Sequence, residues 1–351
     1  MYMFEKKCAM CHGTANSVER AVTRDALADY TAERVYKALT TGPMAPMVSG
    51  LSDSDLRGLA VQTAGSPFGT AADRSAEAMS NRCAITNGRG RRMGDPAAAP
   101  SWNGMSPDVA STRFQPAEVA GLTADEVPKL RRKWAFGFPD GTQIRAQPTV
   151  VGGRVFMGSD AGTVYALDAK SGCVHWSYDA GDGVLTAITV ATIPAPSAPP
   201  AASASASNAP SSKDRYVAYF GDHRAMVHAV DAETGEGLWK FRADDHPAAK
   251  ITGSVVMDTQ GGRLIVPVGS FEETFPATKT YECCTSQGSL LALDPETGDQ
   301  IWKTYSIPNR PKPVRKSAIG TQLYGPAGAG IWVAPTLDYK RGLAYVCLLY
   351  T

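Results

Sequence analysis

The chain has 351 residues, 43% of them apolar and 20% charged, a composition that supports packed cores in more than one domain. Basic and acidic residues nearly cancel to a net charge of +1, so no nucleic-acid or anionic-membrane partner is expected. The longest uncharged stretch, 183–212, is broken by prolines and serines, and no integral membrane segment is predicted.

The N-terminal part of the chain carries a haem-attachment motif. Cys8, Cys11 and His12 have C-x-x-C-H spacing, in which two thiols bond to the porphyrin and the histidine binds the iron. A redox dithiol and half of a zinc site are the alternatives, but no second Cys/His pair stands at zinc-ligand spacing. We therefore predict covalently bound haem c and an electron-transfer role.

A methionine is expected to be the second axial ligand of the haem iron, because a thioether raises the potential. Met44 and Met47 lie in a proline-containing stretch just before a predicted helix, where small cytochromes c place this ligand. The spacing to Leu51 favours Met44, with Met47 as the alternative. The other methionine would then fill a gap in the core.

Three regions follow one another along the chain. Residues 1–65 are predicted to form a small all-α cytochrome c domain, because 23–39 and 53–61 have the apolar spacing of helices. Residues 66–133 are rich in glycine, alanine, proline and arginine, and we interpret them as a linker that leads into the next domain. The last region, 134–351, is predicted to be an all-β domain.

From Trp134 onward the sequence repeats. The segments 162–176, 225–239 and 288–302 each contain an alternating strand, an aspartate, a turn ending in glycine and a tryptophan that opens the next strand. A further strand pair precedes each segment, which gives about four strands per unit. This pattern is typical of the blades of a β-propeller.

The repeats do not complete a propeller ring. Three full blades and half of a fourth would leave open strand edges, so we expect an incomplete part of a longer chain. A truncation or a break in the reading frame near Thr351 would explain this, and an export signal is expected upstream of Met1. The Ala/Pro/Ser tract 193–212 is expected to be a mobile low-complexity loop.

The motifs, taken in order, resemble the quinohaemoprotein polyvinyl alcohol dehydrogenases. The resemblance rests on the haem motif, Trp102-Asn-Gly, 113–116, 122–139, 146–156, 281–284 and 324–332. It implies an eight-bladed quinoprotein propeller that oxidises secondary alcohols, such as those of polyvinyl alcohol, with pyrroloquinoline quinone (PQQ) and calcium. It also implies a periplasmic enzyme that passes electrons to its own haem c and then to a downstream cytochrome or oxidase.

The resemblance implies a PQQ site and a calcium site. Trp332 stands where these proteins stack a tryptophan on PQQ, although it could equally be a packing residue of the blade. Thr252 and Ser270 match residues at strand ends that face the cofactor. Glu273, or Glu272 beside it, matches a carboxylate that binds calcium, an ion that takes oxygen ligands; adjacent surface glutamates are the alternative.

The same resemblance implies roles for two further features. The neighbours Cys283 and Cys284 match the adjacent cysteines that form a disulfide on PQQ in related enzymes, although at a different blade position. Two buried free thiols are the alternative. Arg145, at the start of an inner strand, is expected to face a PQQ carboxylate or to form a salt bridge at the rim.

The chain departs from the family at two internal segments and near its end. The family has arginines in the segments that read 183–187 and 284–288 here, so two cationic partners are missing. The aspartate that serves as catalytic base is expected beyond Thr351, and the chain alone is predicted to be inactive. A non-catalytic propeller scaffold fused to a cytochrome c carrier is the alternative function, because related repeats occur in assembly proteins.

Overall fold

The computed structural model describes residues 2–13, 21–42, 44–70, 76, 78–84, 92–98, 100–139, 141, 144–194, 214–277 and 279–349. Most of the low-complexity tract 193–212 lies outside the described residues. The chain divides into a helical unit, residues 1–81 and 137–143, and a strand-rich unit, residues 82–136 and 144–351. The linker interpreted from the sequence is thus divided between the two units, and its limits stay a prediction.

The helical unit is built from short helices around a small apolar core. Its described helices are α1 (Tyr2–Lys7), α2 (Ala9–His12), α3 (Arg24–Leu27), α4 (Ala32–Thr40), a 3-10 helix (Ala45–Val48) and α5 (Asp53–Ala64). The predicted helical stretch 23–39 is divided in two, because the Thr31 side chain accepts a hydrogen bond from the Arg34 N–H and caps a new helix there. Phe4, Val35 and Leu59 are buried together in the core.

Three antiparallel sheets of the strand-rich unit follow one another along the chain. The first contains β1 (Thr149–Val151), β2 (Arg154–Gly158), β3 (Thr163–Asp168) and β4 (Val174–Asp179) in sequence order. The second contains β5 (Thr189–Ile193), β6 (Arg215–Gly221), β7 (Met226–Asp231) and β8 (Gly237–Arg242). The third contains β10 (Val256–Asp258), β11 (Arg263–Ser270), β12 (Ser289–Leu293) and β13 (Gln300–Tyr305) in this order. In addition, β9 (Ala249–Lys250) pairs with β11. Four-stranded meanders of this kind are the units of a propeller.

Shorter elements complete the described structure. They are α6 (Ala117–Ala120), two 3-10 helices (Val127–Lys129 and Glu272–Ala277), and six strands: β14 (Lys312–Lys316), β15 (Gln322–Gly325), β16 (Gly330–Ile331), β17 (Thr336–Asp338), β18 (Leu343–Tyr345) and β19 (Leu348–Leu349). These strands pair as β14–β15, β16–β19 and β17–β18. Two short strands in sequence, β16 and β17, pair with the chain that returns after them, as β9 and β10 pair with β11, so the repeat continues toward the end of the described chain.

The tryptophans of the repeats join neighbouring sheets. The indole N–H of Trp176 on β4 donates to the carbonyl of Ala232 in the second sheet at 3.0 Å. A β-carbon on Gly235, whose φ is +81°, would lie 2.7 Å from the Trp176 ring, so the turn glycine makes room for it. Trp239 makes the equivalent bond to Pro295 at 3.2 Å. The tryptophan and the glycine recur because the tryptophan of each sheet packs against the turn glycine of the next sheet.

The segment before β1 runs across the first strands of the sheets. Trp102 exchanges two backbone hydrogen bonds with Val150 on β1, at 2.7 and 2.8 Å. The Asn103 side chain bonds both the N–H and the carbonyl of Val190 on β5. These bonds, rather than the weak periodicity of the segment, fix its place in the strand-rich unit.

Candidate functional site

The candidate haem ligands lie within one turn of the helical unit. Cys8 precedes α2, and the N–H groups of Cys11 and His12 donate to its carbonyl at 3.1 and 2.9 Å. Both cysteines are half-buried and free of disulfides. Burial, and then the neighbouring Cys11, raise the pKa of the Cys8 thiol. The geometry therefore presents two thiols and an imidazole from a single turn, as the C-x-x-C-H spacing requires.

The ring of His12 has a defined orientation. Its Nδ1 lies 2.7 Å from the carbonyl oxygen of Val22. Because a carbonyl oxygen only accepts hydrogen bonds, Nδ1 carries the proton and Nε2 is left as the metal-binding nitrogen. Histidine ligands of metals in proteins are commonly held in this way by a second hydrogen bond. The residues present thus fit a haem iron, and the orientation of His12 is a feature that the sequence did not reveal.

The two methionines are placed differently. Met44 precedes the 3-10 helix and packs on the same core cluster as Cys8 and Ala9. Met47 is half-buried within that 3-10 helix. Met44 thus shares a packing environment with the residues of the motif. The preference for Met44 as the axial ligand stays a prediction.

Five of the predicted cofactor residues meet in one pocket of the strand-rich unit. The pocket is lined by Ser270, Glu272, Glu273, Cys284, Ser286, Gly328, Gly330 and Trp332. Ser270 ends β11 and Trp332 follows β16, so two neighbouring strand ends bring these side chains together. The loop between β11 and β12 carries the glutamates and the cysteine. Long-range pairing thus gathers residues that are far apart in sequence.

The surroundings of Trp332 are suited to a flat polar molecule. A β-carbon on Gly330 would lie 2.9 Å from Nε1 of Trp332, and one on Gly269 would lie 3.8 Å from its ring and from Oγ1 of Thr252. The Thr252 hydroxyl is buried and has no hydrogen-bond partner among the residues that the structure describes. Buried hydroxyls are nearly always paired, so this hydroxyl is available to donate a hydrogen bond to a molecule bound beside the indole ring. The residues therefore fit a planar cofactor that accepts a hydrogen bond.

Glu272 holds the loop that carries the cysteines. Its carboxylate accepts hydrogen bonds from the Thr285 N–H at 2.9 Å, the Ser286 N–H at 2.6 Å and the Tyr281 hydroxyl at 3.0 Å. Burial raises its pKa, but the N–H donors of Ser286 and Thr285 outweigh burial, and the pKa of Glu272 lies below its ordinary value. Its oxygens are thus engaged in the protein, and Glu273 lines the same pocket beside it.

The candidate calcium site is incomplete in the part of the chain that the structure describes. No group of three or more His, Cys, Asp or Glu side chains that could hold a metal is found among those residues. Calcium takes six to eight oxygen ligands. Glu273 and the hydroxyls and carbonyls that line the pocket would supply only part of this number, so calcium binding stays a prediction.

The structure contains two disulfides. Cys283 and Cys284 are joined to each other, and Cys283 is buried while Cys284 lines the pocket with Trp332. Cys83 and Cys173 form a second disulfide that ties the segment before β1 to the first sheet. The sequence predicted the first pair but not the second. Three cysteines, Cys83, Cys173 and Cys347, had no assigned role, and nothing in the sequence indicated which two of them would pair.

Arg145 lies outside the pocket lining, in a polar cluster next to it. Burial, and then the charges of Lys250 and Arg145, lower the pKa of His223 to about 3. The His223 ring contacts Phe271 at 5.7 Å, and Phe271 contacts Trp332 at 4.9 Å between ring centroids. Sequence reasoning missed His223, Lys250 and Phe271, because no local motif marks them.

Comparisons with known proteins define the class. The PQQ_2 family model, described as "Outer membrane protein assembly factor BamB", matches residues 129–312, just over half of the chain, and the chain belongs to this family. In overall structure the chain is similar to the crystal structure of quinohemoprotein alcohol dehydrogenase from Comamonas testosteroni. The TM-score is 0.50 with 19% identity, covering 71% of this chain and 35% of that chain. The expected quinoprotein-type, propeller-like β-fold is thereby confirmed, whereas the cytochrome c domain and the number of blades stay predictions.

Two curated relatives match almost the whole chain. A polyvinylalcohol dehydrogenase from a Pseudomonas species is 36% identical over 98% of this chain and 51% of the relative. A polyvinylalcohol dehydrogenase from a Sphingopyxis species is 34% identical over 98% of this chain and 50% of the relative. The resemblance inferred from the motifs is therefore confirmed, and the chain spans about half the length of these relatives. Among the described residues, no helix has the length and apolar character needed to cross a membrane.

Proposed function

We propose that the chain belongs to a PQQ-dependent alcohol dehydrogenase that oxidises secondary alcohols, such as those of polyvinyl alcohol, and passes the electrons to its own haem c. The observation that carries the proposal is the buried Thr252 hydroxyl, which has no partner in the described part of the chain and lies near the glycine-flanked ring of Trp332. The disulfide of Cys283 and Cys284 in the same pocket supports it. The names of the relatives supply the substrate class.

The residues of the pocket would each bind or orient the cofactor. PQQ, when bound, supplies a quinone that accepts two electrons from an alcohol. Trp332 would stack on its plane, because offset aromatic contacts are favourable. The Thr252 hydroxyl would donate a hydrogen bond to it, and the Ser270 side chain would contact its edge. We assign no catalytic residue among the residues that the structure describes.

Three further residues would complete the cofactor environment. The disulfide of Cys283 and Cys284 would pack against the cofactor, and Arg145 would face one of its carboxylates. Glu273 would bind calcium at the pocket, whereas Glu272 would brace the loop through its bonds to Thr285 and Ser286. Calcium is proposed because an oxygen-rich pocket suits a hard cation.

The helical unit would act as the electron carrier. Cys8 and Cys11 would hold haem c covalently, and Nε2 of His12 and the sulfur of Met44 would bind the iron. A downstream cytochrome or oxidase would then accept the electrons, in the periplasm. Met44→Ala should lower the reduction potential by a sizeable part of the roughly 0.8 V range that axial ligands span. Met47→Ala is the matched control. If the reduction potential falls with Met47→Ala and not with Met44→Ala, Met47 is the axial ligand instead.

Titration with PQQ tests the quinone site. Calcium is kept constant, and binding is followed by the quenching of tryptophan fluorescence in the whole 351-residue chain. We expect Trp332→Ala to weaken PQQ binding about tenfold, because a stacked aromatic contributes on the order of 1 kcal/mol. Trp302→Ala removes a half-buried tryptophan of the repeat and should leave the affinity unchanged. Equal affinity of the wild type and Trp332→Ala would contradict the assignment.

A non-catalytic scaffold is the second candidate. The description of the matching family model as an assembly factor favours it. A scaffold has no need for a buried hydroxyl without a partner or for a disulfide in a pocket with a tryptophan. If the folded wild-type chain shows no PQQ binding in the titration, the scaffold is the better explanation of the strand-rich unit.

A further inference from the structure

His246 lies in a turn that fixes the orientation of its ring. The Asp244 side chain accepts the His246 N–H at 2.9 Å, and Nζ of Lys303 donates to the same carboxylate at 2.8 Å. Within this turn the N–H of Ala248 donates to Nδ1 of the ring at 3.2 Å. A ring nitrogen that accepts a hydrogen bond carries no proton, so the proton of the imidazole is on Nε2. The His246 ring therefore offers one N–H donor in a fixed direction.

The donor of the His246 ring faces the loop that carries the two neighbouring cysteines. Nε2 lies 3.0 Å from the hydroxyl oxygen of Thr285, which directly follows Cys284. The Thr285 hydroxyl donates its single proton to the Glu272 carboxylate at 3.2 Å. Its oxygen then has only acceptor capacity left, which matches the N–H of His246. The two bonds form one directional chain from the imidazole through the hydroxyl to the carboxylate.

This chain of hydrogen bonds is shielded from water. The Glu272 side chain is 1% exposed, the His246 side chain is 19% exposed, and Nε2 lies 3.6 Å from a Glu272 carboxylate oxygen. Hydrogen bonds that lead to a charged acceptor are stronger where little water competes for them. Loss of the imidazole would leave the Thr285 hydroxyl without a donor in a place that water does not easily reach.

The loop of the two cysteines is held from two sides. On one side the N–H of Tyr324 on β15 donates to the Cys283 carbonyl at 2.7 Å. On the other side the turn of His246, which leads into β9, holds the residue after Cys284. Because Cys284 lines the pocket with Trp332, the position of the disulfide at the pocket depends on both attachments.

We propose that His246 is a positioning residue of the pocket beside Trp332. It fixes the loop of the two neighbouring cysteines through the hydroxyl of Thr285. The consequence for cofactor binding rests on the proposed function, whereas the fixing of the loop does not require PQQ. No local motif marks His246, because the residue that it bonds is 39 positions away in sequence.

The rate at which a reductant opens the disulfide of the loop measures how firmly the loop is held. Dithiothreitol supplies two electrons and two protons, which convert the disulfide into two thiols, and the rate depends on access to the sulfur atoms. Alkylation of the new thiols followed by mass spectrometry gives this rate for each disulfide separately. The disulfide of Cys83 and Cys173 is therefore a control within the same molecule.

Two replacements of His246 separate its two hydrogen bonds. His246→Asn keeps an acceptor for the Ala248 N–H but is too short to reach Thr285, so the disulfide of the loop should be reduced about fivefold faster, the effect of one hydrogen bond. His246→Gln places an amide N–H near the position of Nε2 and should stay within about twofold of the wild type. The control disulfide should react at the wild-type rate in both variants. A wild-type rate for the loop in a folded His246→Asn overturns the proposal.

A double-mutant cycle tests whether His246 acts through Thr285. Thr285→Val removes the hydroxyl and keeps the shape of the side chain, so the loop should again be reduced faster, whereas Thr285→Ser should react like the wild type. Residues that act through one bond have non-additive effects, so adding His246→Asn to Thr285→Val should change the rate by less than about twofold. A full fivefold effect in that background overturns the proposal. If His246→Asn fails to fold by circular dichroism, equal rates for Thr285→Val and Thr285→Ser overturn it instead.

A PQQ titration of the same variants at constant calcium separates this inference from the proposed function. We expect His246→Asn to bind PQQ about fivefold more weakly, and His246→Gln to bind like the wild type. Wild-type PQQ affinity in a His246→Asn chain whose loop disulfide is reduced faster contradicts the role of His246 in the pocket. A wild-type chain that binds no PQQ overturns the proposed function, and the reduction rates then decide alone whether His246 fixes the loop.

Discussion

The two units of the chain build their candidate sites in opposite ways. In the helical unit, Cys8, Cys11 and His12 lie within five consecutive residues, and one helical turn sets their geometry. In the strand-rich unit, the pocket beside Trp332 draws on the ends of β11 and β16 and on the loop after β11. A site made by one turn depends on local sequence, whereas a site made by strand ends depends on the packing of whole sheets. Substitutions should therefore affect the two units differently.

The largest effect is expected in the haem motif. Replacing Cys8 and Cys11 by alanine removes both thiols that can bond to the porphyrin. In cells that carry out c-type maturation, the wild type should show a Soret band that persists after denaturation, and the double variant should show none. Cys347→Ser, at an exposed free cysteine, is the control and should keep the band. If the double variant retains covalently bound haem, cysteines other than Cys8 and Cys11 bond to the porphyrin.

The next largest effect is expected where sheets meet. Trp176→Ala removes a 5% exposed indole and its bond to Ala232, and such truncations cost about 3–5 kcal/mol. Trp302→Ala, at a half-buried tryptophan, should cost less. Urea unfolding followed by circular dichroism measures both free energies of unfolding. If the two variants lose the same free energy of unfolding, the packing of Trp176 on the neighbouring sheet makes no special contribution to stability.

The disulfide between Cys83 and Cys173 should contribute less than the tryptophan. It links residues 90 positions apart in sequence, and disulfides that close long loops typically stabilise by about 2–4 kcal/mol. We expect the double variant Cys83→Ser, Cys173→Ser to lose stability of this order in urea unfolding. Cys347→Ser again serves as the control. An unchanged midpoint in the double variant would show that backbone pairing alone holds the segment before β1.

The smallest effect is expected at Glu272. The folded pKa of this carboxyl is lowered, so its stabilisation is present above the unfolded value of about 4.3 and is lost as the pH falls through the folded pKa. Glu272→Gln should cost about 1–3 kcal/mol at pH 7, because the N–H donors of Thr285 and Ser286 lose a charged acceptor.

A pH series of melting temperatures checks the Glu272 prediction. The difference between the wild type and Glu272→Gln should shrink once the pH falls below about 4. Glu296→Gln, at an exposed turn residue, should match the wild type at every pH. If the difference in melting temperature between the wild type and Glu272→Gln grows as the pH falls, the pKa of Glu272 is not lowered in the folded protein.

Local patterns were sufficient for much of the fold. The repeats that end in Trp176, Trp239 and Trp302 predicted the paired strands that the structure contains, because a period of two and a turn glycine are local signals. The helical stretch 23–39 was less well defined. A cap at Thr31 divides it, and this depends on a single side-chain hydrogen bond.

Local patterns did not suffice for the pocket. Trp332, Ser270 and Glu273 were proposed from the resemblance to a family, and only the structure brings them to one place. The burial of the Thr252 hydroxyl and of the Lys250 side chain is visible only after folding, because burial is a property of the packed sheets.

The sequence by itself determined the order of strands and turns, the C-x-x-C-H turn and the likeness to quinoprotein dehydrogenases. Each of these is encoded within a few consecutive residues or in their repetition along the chain. The tertiary structure alone decided that Cys83 pairs with Cys173, that Glu272 turns inward to hold its loop, and that Lys250 bonds the carbonyl of His223. These features depend on which strand ends become neighbours, and the hydrogen bonds and burial that fix neighbours join residues far apart in sequence.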